Sequence, residues 1–396
     1  MVRPTVARID LNILKANYRA IVGHLADARG RQAGVIAVVK ANAYGHGSRQ
    51  VARALEEVGA DLLACADIEE GAALRAAGVE AEILVFGALS VSDLDGLFDC
   101  RLTPTISTPG AARAVQDAAA KYRQRLRYHL KIDTGMNRLG FRFDNLRRTL
   151  PELLAGPNLD LAAVYTHFAT ADDPESPLFG EQRLRFDRAL SEIDVMQRAR
   201  GNAGGGASAP RAGAAADRRS YHVHAANSAA LLRDARVWYD RVRPGLLLYG
   251  IVPPPLASTL PLVPALSLTS RVVAVKGVRD DETVGYGARF HAERPTALAI
   301  VPAGYADGLD LRLAGRGAVL IRGRRAPIVG SVCMDMLMAD VTGVDVAPGD
   351  EVVIIGAQGS DRIDVREMAA QIGTIPYEIL CRIGSRIERV YSMGIG

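Results

Sequence analysis

Cysteine is scarce in this chain of 396 residues, and the few present stand alone. Cys65, Cys100, Cys333 and Cys381 lie far apart with no Cys-x-x-Cys pair. That argues against a disulfide framework or a structural zinc site and suits a reducing compartment. Charge of one sign is not in excess either: the net charge is +4, and the arginines are scattered. No basic stripe or aromatic-interleaved platform offers itself to nucleic acid. Long apolar runs are missing, so no segment spans a bilayer. Residues 1–8 hold no apolar core of signal-peptide length, and a cytoplasmic protein is expected. An early Gly-x-Gly-x-x-Gly turn opening a helix is also absent, which disfavours an open dinucleotide-binding sheet.

What is present is a repeating pattern. After a short β-like start at 5–11, apolar strands alternate with helices. Strands are expected at 35–39, 61–66, 83–87, 102–106, 127–133, 159–168, 221–226 and 237–243. Ser48 precedes Val51, Leu55 and Val58 at helical spacing, and Gly59 closes that helix. Asp67 with Glu70 reads as a capping box, and Thr108 before Pro109 as an N-cap with proline at the first helical position. Eight such units predict a closed α/β barrel, TIM-like, of eight parallel strands. The run 201–220, rich in glycine and alanine, reads as a flexible surface insertion. From Pro253-Pro254-Pro255 the texture changes to short alternating strands at 268–278, 297–302, 318–321, 327–332 and 351–355, with one helix opened by Asp364 and Glu367. The expected division is therefore a barrel over 1–252 and a mostly-β domain over 253–396. The extreme N-terminal strand, about 1–11, is a candidate to pack with the β domain.

Chemistry should gather at the carboxyl ends of the barrel strands. The run Val35 to Val39 ends in Lys40, then a small-residue turn with an exposed Tyr44 and the glycines of Gly45-His46-Gly47. Such a lysine is more often a surface residue, but a desolvated one can form a Schiff base with an aldehyde cofactor. In the fifth strand, alternation points Arg127, His129, Lys131 and Asp133 into the barrel, a costly row unless its members pair. The sixth strand puts Ala163, Tyr165 and His167 on one face, with His167 at the exit near Lys40. Asn227-Ser228 opens a short helix, and Arg243-Pro244-Gly245-Leu246 follows the eighth strand. Each alone is an ordinary cap or turn. Together, facing a strand-end lysine, they favour a phosphorylated aldehyde, since phosphate sites in such barrels follow strands seven and eight. Arg243, always charged, would disfavour protonation of a pyridine nitrogen beside it and keep a carbanion less delocalised.

Five stretches in order then carry a resemblance. They are Val38 to Gly47 (VVKANAYGHG), Lys131 to Gly140 (KIDTGMNRLG), Arg243-Pro244-Gly245, Gly304-Tyr305-Ala306-Asp307-Gly308 and Cys333-Met334-Asp335. Over essentially its whole length the sequence resembles the alanine racemase family, enzymes that use pyridoxal phosphate to interconvert L- and D-alanine and supply D-alanine for peptidoglycan. The resemblance implies a homodimer with shared active sites and no metal. Lys40 would hold the cofactor and serve as the base facing D-alanine. Tyr286, which alone reads as a turn tyrosine between glycines, would be the base facing L-alanine, reaching in from the β domain of a second subunit. His167 would hydrogen-bond Tyr286, and Arg243, backed by His224, would face the pyridine nitrogen. Tyr44, Ser228, Tyr377 and the Gly245-Leu246 backbone would hold the phosphate. Arg138 and the Met334 amide would bind the substrate carboxylate. Lys131 would be carbamylated as the anionic partner of Arg138, and Tyr305 would line the entrance.

Leu311 and Ser331 stand where some family members carry entrance arginines, which bears on tolerance of larger substrates. Rival readings are a racemase for serine or a basic amino acid, and a non-catalytic pyridoxal-phosphate carrier, which would lack the second domain. A related decarboxylase would be expected to place a carboxylate where Arg243 sits.

Overall fold

The first strand of the chain does not join the strands that follow it. In the computed structural model, which describes residues 4–27, 33–89, 93–203 and 219–392, β1 (Val6–Asp10) lies in the sheet of the C-terminal region. There it runs antiparallel to β11 (Leu266–Arg271) and parallel to β21 (Glu388–Ser392), with Val6 opposite Thr269 and Glu388.

The next strands form the barrel: β2 (Gly34–Val38), β3 (Leu62–Cys65), β4 (Glu82–Val85), β5 (Thr103–Ile106), β6 (Leu126–Asp133), β8 (Leu159–Tyr165), β9 (His222–Asn227) and β10 (Arg241–Arg243). β7 (Phe141–Arg142) is a two-residue strand on the end of β6. All eight run parallel, and the ring closes where β10 pairs with β2 and β5 with β6. The pleat sorts their side chains into two sets. Ile36, Leu62, Ala64 and Leu84 pack together as a small cluster of their own. Their sequence neighbours Val35, Ala37, Leu63, Cys65, Ile83 and Val85 join the main core with the helices. Opposite that apolar half, β6, β8, β9 and β10 contribute His129, Lys131, Tyr165, His224 and Arg243, all buried. The lumen is thus half hydrocarbon and half polar.

Local signals in part behave as their chemistry requires. Thr108 Oγ1 accepts the amide of Ala111 and Asp364 that of Arg366, as caps should. Ser48, however, is the first helical residue of Ser48–Glu56, and Gly47 holds the cap position. The eighth strand is only Arg241–Arg243, because Asp234 caps a 3₁₀ turn over Ala235–Val237. The stretch 268–278 breaks into β11 and β12 (Ala274–Val278), and the C-terminal helix is two, Val365–Ile372 and Pro376–Arg382. Most of the expected insertion at 201–220 lies outside the described residues; its first three continue the helix Leu178–Ala203.

The β region holds a short separate hairpin, β13 (Thr283–Val284) and β14 (Phe290–His291), as well as a larger sheet. That sheet contains β15 (Thr296–Val301), β16 (Ala318–Ile321), β17 (Arg324–Val329), β18 (Leu337–Asp340), β19 (Glu351–Gln358) and β20 (Asp361–Ile363). No helix among the described residues is long and apolar enough to cross a membrane.

Candidate active site

Beyond β2 the chain does something expensive. Ala41, Asn42, Ala43 and Tyr44, none of them glycine, all have φ between 52° and 54°. A left-handed turn costs such residues roughly 1–2 kcal/mol each, so neighbours must hold it. Glu70 supplies one clamp: Oε1 accepts the Ala41 amide at 2.7 Å and Oε2 the Ala66 amide at 2.8 Å. One carboxylate therefore ties the exits of β2 and β3 together. Asp67 does accept the Glu70 amide, but the returning arm of the expected capping box goes to these two loops instead. Asn42 takes the Ser48 amide at 2.9 Å. At Gly45 a Cβ would meet the Leu380 carbonyl at 2.1 Å, so only glycine fits. The turn buries Tyr44, contrary to the exposed position expected for it.

This turn delivers Lys40 to a cavity of about 520 Å³ at the carboxyl end of the barrel. Lys131, Arg138 and Arg243 line the same cavity, and among the described residues no aspartate or glutamate does. Burial and then the Arg138 charge lower the Lys40 pKa, and the same causes push Lys131 down to about 8. Among the described residues no carboxylate pairs with Lys131; its ammonium lies 5.7 Å over the Tyr165 ring.

Arg243 is fully enclosed. Nη2 donates to the carbonyls of Thr166 and Ala225, both at 2.8 Å, and approaches His167 Nδ1 at 3.3 Å. Nη1 donates to His224 Nδ1 at 2.8 Å. Guanidinium can only donate, which fixes His224 as the neutral tautomer with its proton on Nε2. That proton goes to His129 Nδ1 at 3.0 Å. Tyr165 stacks on His224 with ring centres 4.6 Å apart and bonds Thr105 at 3.1 Å. Burial, reinforced by the nearby arginines, holds His167 and His224 well below the ordinary histidine range and His129 at about 3.

The opposite wall is a cradle of hydroxyls and amides. Ser228 Oγ accepts the amide of Gly245 at 2.9 Å. A Cβ on Gly245 would fall 2.3 Å from Tyr44 Oη, so the absence of a side chain is what admits the phenol. Tyr44 packs between Tyr249 and Tyr377 at 5.1 and 5.8 Å. Leu246 is buried and opens the 3₁₀ turn Leu246–Tyr249.

Three expected site residues lie elsewhere. Tyr286, Tyr305 and Met334 do not line the cavity; they sit on one exposed face of the β region, with Tyr286 77% and Met334 52% accessible. The Tyr305 and Ala306 amides bond the carbonyls of Cys333 and Met334, and Ser331 Oγ donates to the Tyr286 carbonyl at 2.6 Å. Leu311 is also exposed.

Two family models cover nearly the whole chain: alanine racemase, N-terminal domain, over residues 9–253, and alanine racemase, C-terminal domain, over residues 265–391. The chain belongs to the alanine racemase family. An alanine racemase of Carboxydothermus hydrogenoformans is 41% identical, over 98% of this chain and all of that one. Among solved structures, the alanine racemase from D-cycloserine-producing Streptomyces lavendulae superposes with a TM-score of 0.88 at 33% identity, covering 100% of this chain and 98% of that one. The alanine racemase from Bartonella henselae, solved with covalently bound pyridoxal phosphate, gives 0.83 at 27% identity, covering 98% and 99%. Within this alanine racemase fold, the Glu70 clamp is the element that sequence reading missed. Its only signal was its place three residues after a helix cap.

Proposed function

We propose that the chain interconverts L- and D-alanine, supplying D-alanine for peptidoglycan. The observation that carries this reading is the cavity lined by Lys40, Lys131, Arg138 and Arg243 with no carboxylate among the described residues that line it. Such a wall is stable only around anions, and a phosphate and an amino-acid carboxylate are the two that the reaction requires. The family is pyridoxal-phosphate dependent, and the residues here fit that cofactor: the Tyr44 phenol seated against Gly245, with the Ser228 hydroxyl beside it, makes a cradle of hydroxyls suited to a phosphate. Tyr44, Ser228, Tyr377 and the Gly245-Leu246 backbone would hold that phosphate, and Lys40 would be the covalent anchor. When bound, the cofactor supplies an electron sink for the pair left on the α-carbon.

This chain's own groups do the rest. Arg243, locked by β9 and the loop after β8, would face the ring nitrogen with a fixed positive charge, while His224 and His129 keep it in place. Lys40, whose lowered pKa makes its amine available, moves the proton on one face of the α-carbon. Tyr286 from a second copy of the chain moves it on the other. Its exposure and its distance from its own chain's cavity support that assignment. His167 accepts from Arg243 at Nδ1, which leaves Nε2–H to meet the arriving phenol. Arg138, with the Met334 amide of the second copy, holds the substrate carboxylate, and Tyr305 lines the entrance. Lys131 near neutrality has the free amine that carbamylation needs: it adds carbon dioxide, loses one proton, and becomes the anion that Arg138 lacks. The reading is thus of a homodimer with shared sites. A cytoplasmic location suits its four unpaired cysteines.

Incubation with pyridoxal phosphate and each L-amino acid in deuterated water tests the reaction. Deuterated D-alanine as the dominant product is expected; release of carbon dioxide would overturn it.

A further inference from the structure

Two strand exits of the barrel are held from outside by one helix. β8 ends at Tyr165, and its pairing with β6 ends there too. Residues 166–168, which include His167, belong to no helix or strand. Their backbone needs other partners, and side chains supply them. The Thr166 carbonyl accepts from Arg243 at 2.8 Å. The His167 carbonyl and the Ala169 amide both go to Gln182, in the second turn of the helix Leu178–Ala203.

Gln182 is wholly buried and spends both arms of its amide. Oε1 accepts the Ala169 amide at 2.8 Å, while Nε2 donates to the His167 carbonyl at 3.0 Å and to Thr134 Oγ1 at 3.2 Å. A carbonyl only accepts, which fixes the orientation of the amide. Thr134 lies just past the end of β6. Its hydroxyl bonds Thr166 Oγ1 at 2.8 Å, and Thr166 Oγ1 donates to the Ile132 carbonyl at 2.9 Å. The protons therefore run in one sense, from Gln182 through Thr134 and Thr166 to Ile132. One turn further along the helix, Arg185 Nη1 donates to the Thr134 carbonyl at 3.1 Å. The helix thus grips the exits of β6 and β8 together, and of its two gripping residues Gln182 is the one bonded to His167.

Gln182 does not line the cavity, so it can act only through what it holds. His167 has two anchors, the backbone bond to Gln182 and the ring bond to Arg243 at 3.3 Å. The ring bond is the longer, so the aim of the ring depends on the backbone. We propose that Gln182 is a positioning residue of the reaction: it fixes the His167 backbone so that Nε2 stands where the phenol of Tyr286 from the second copy arrives. This rests on the two-base reading above.

Holoenzyme is assayed in both directions with alanine carrying hydrogen or deuterium on the α-carbon. An isotope effect is expressed to the extent that removal of that proton limits the rate. From L-alanine the proton leaves toward Tyr286, and from D-alanine toward Lys40. Gln182→Met keeps the volume and removes all three hydrogen bonds. It should lower kcat/KM on the order of 10²-fold, equally in both directions because the equilibrium between mirror images is fixed. Slowing the Tyr286 step alone should enlarge the isotope effect from L-alanine. It should suppress the effect from D-alanine, where removal by Lys40 becomes a rapid pre-equilibrium. A mere loss of stability or of bound cofactor would lower the rate and leave both isotope effects alone. Gln182→Asn, one methylene shorter, should shift both effects the same way by less, and serves if the methionine variant does not fold. Tyr286→Phe is the control and should give the same pair of shifts. If it does not, the reading of Tyr286 falls and the role of Gln182 with it. If it does, and the folded Gln182 variants keep both wild-type isotope effects or raise only KM, the role of Gln182 falls alone.

Discussion

The polar half of the barrel lumen and the exposed face of the β region both carry residues of the same proposed site, yet they are built in opposite ways. Around Arg243 the partners are fixed within the protein: His224 and His167 accept at Nδ1, Thr166 and Ala225 accept at their carbonyls, and His129 stands behind His224, all of them buried except the half-buried His167. Around Tyr286 and Met334 the side chains stand in solvent, and only the backbone is fixed. The barrel half is organised before anything binds. The β face fixes its backbone and leaves its side chains exposed, as the proposed pairing with a second copy requires. The two halves should therefore fail differently when altered.

The largest effect is expected for the two bases. Lys40→Ala and Tyr286→Phe should each reduce kcat by about 10²–10⁴, with Tyr286→Phe leaving the melting temperature unchanged because the phenol is exposed. Mixing the two inactive proteins under exchange should restore about a quarter of wild-type activity, since half the dimers then hold one intact site. Two inactive variants that remain inactive after verified exchange would break the contrast between the regions. Next in size, Arg243→Leu should destabilise the fold by about 3 kcal/mol or more, because His224 and two buried carbonyls lose their donor; a denaturant titration measures it.

Acid should attack the lumen and spare the face. His46, His129, His167 and His224 have folded pKa values depressed below the ordinary 6.5, with His129 at about 3 and His46 at about 4. Below pH 6.5 the unfolded chain takes up protons that the folded chain refuses, so stability is full above that value and falls as pH drops. The slope is about 1.4 kcal/mol per pH unit for each histidine, read as the drop in unfolding midpoint between pH 7.5 and 5.5. Smallest, Gly245→Ala should cost about 1–3 kcal/mol of overpacking against Tyr44 and weaken cofactor binding more than it lowers kcat, by calorimetry on the apoprotein.

Much of the lumen was legible from alternation alone. Residues two apart on β6 and β8 must share a face, and His129, Lys131 and Tyr165 do. Lys40 could be placed at a strand exit because apolar runs end where strands end. The left-handed turn could not be foreseen, since alanine, asparagine and tyrosine carry no mark of positive φ when a distant carboxylate enforces it. The clamp by Glu70 was hidden for the same reason, as its partners lie in other loops. β18 was missed because four residues after a tight turn show too little periodicity. Tyr286 stood out only through the resemblance, because nothing in Gly-Tyr-Gly distinguishes a base from a turn.

The placement of β1 also bears on how the molecule is made. It leaves the ribosome before every barrel strand, and its two neighbours, β11 and β21, follow the whole barrel in sequence. Its edges must wait unpaired through the synthesis of the entire barrel. Contacts so distant in sequence close slowly. The barrel should therefore be able to assemble while the other sheet is incomplete. A circular permutant that begins at the helix Leu11–Asp27 and carries residues 6–10 after β21 would remove that wait, and its refolding rate would report how much of the delay belongs to one five-residue strand.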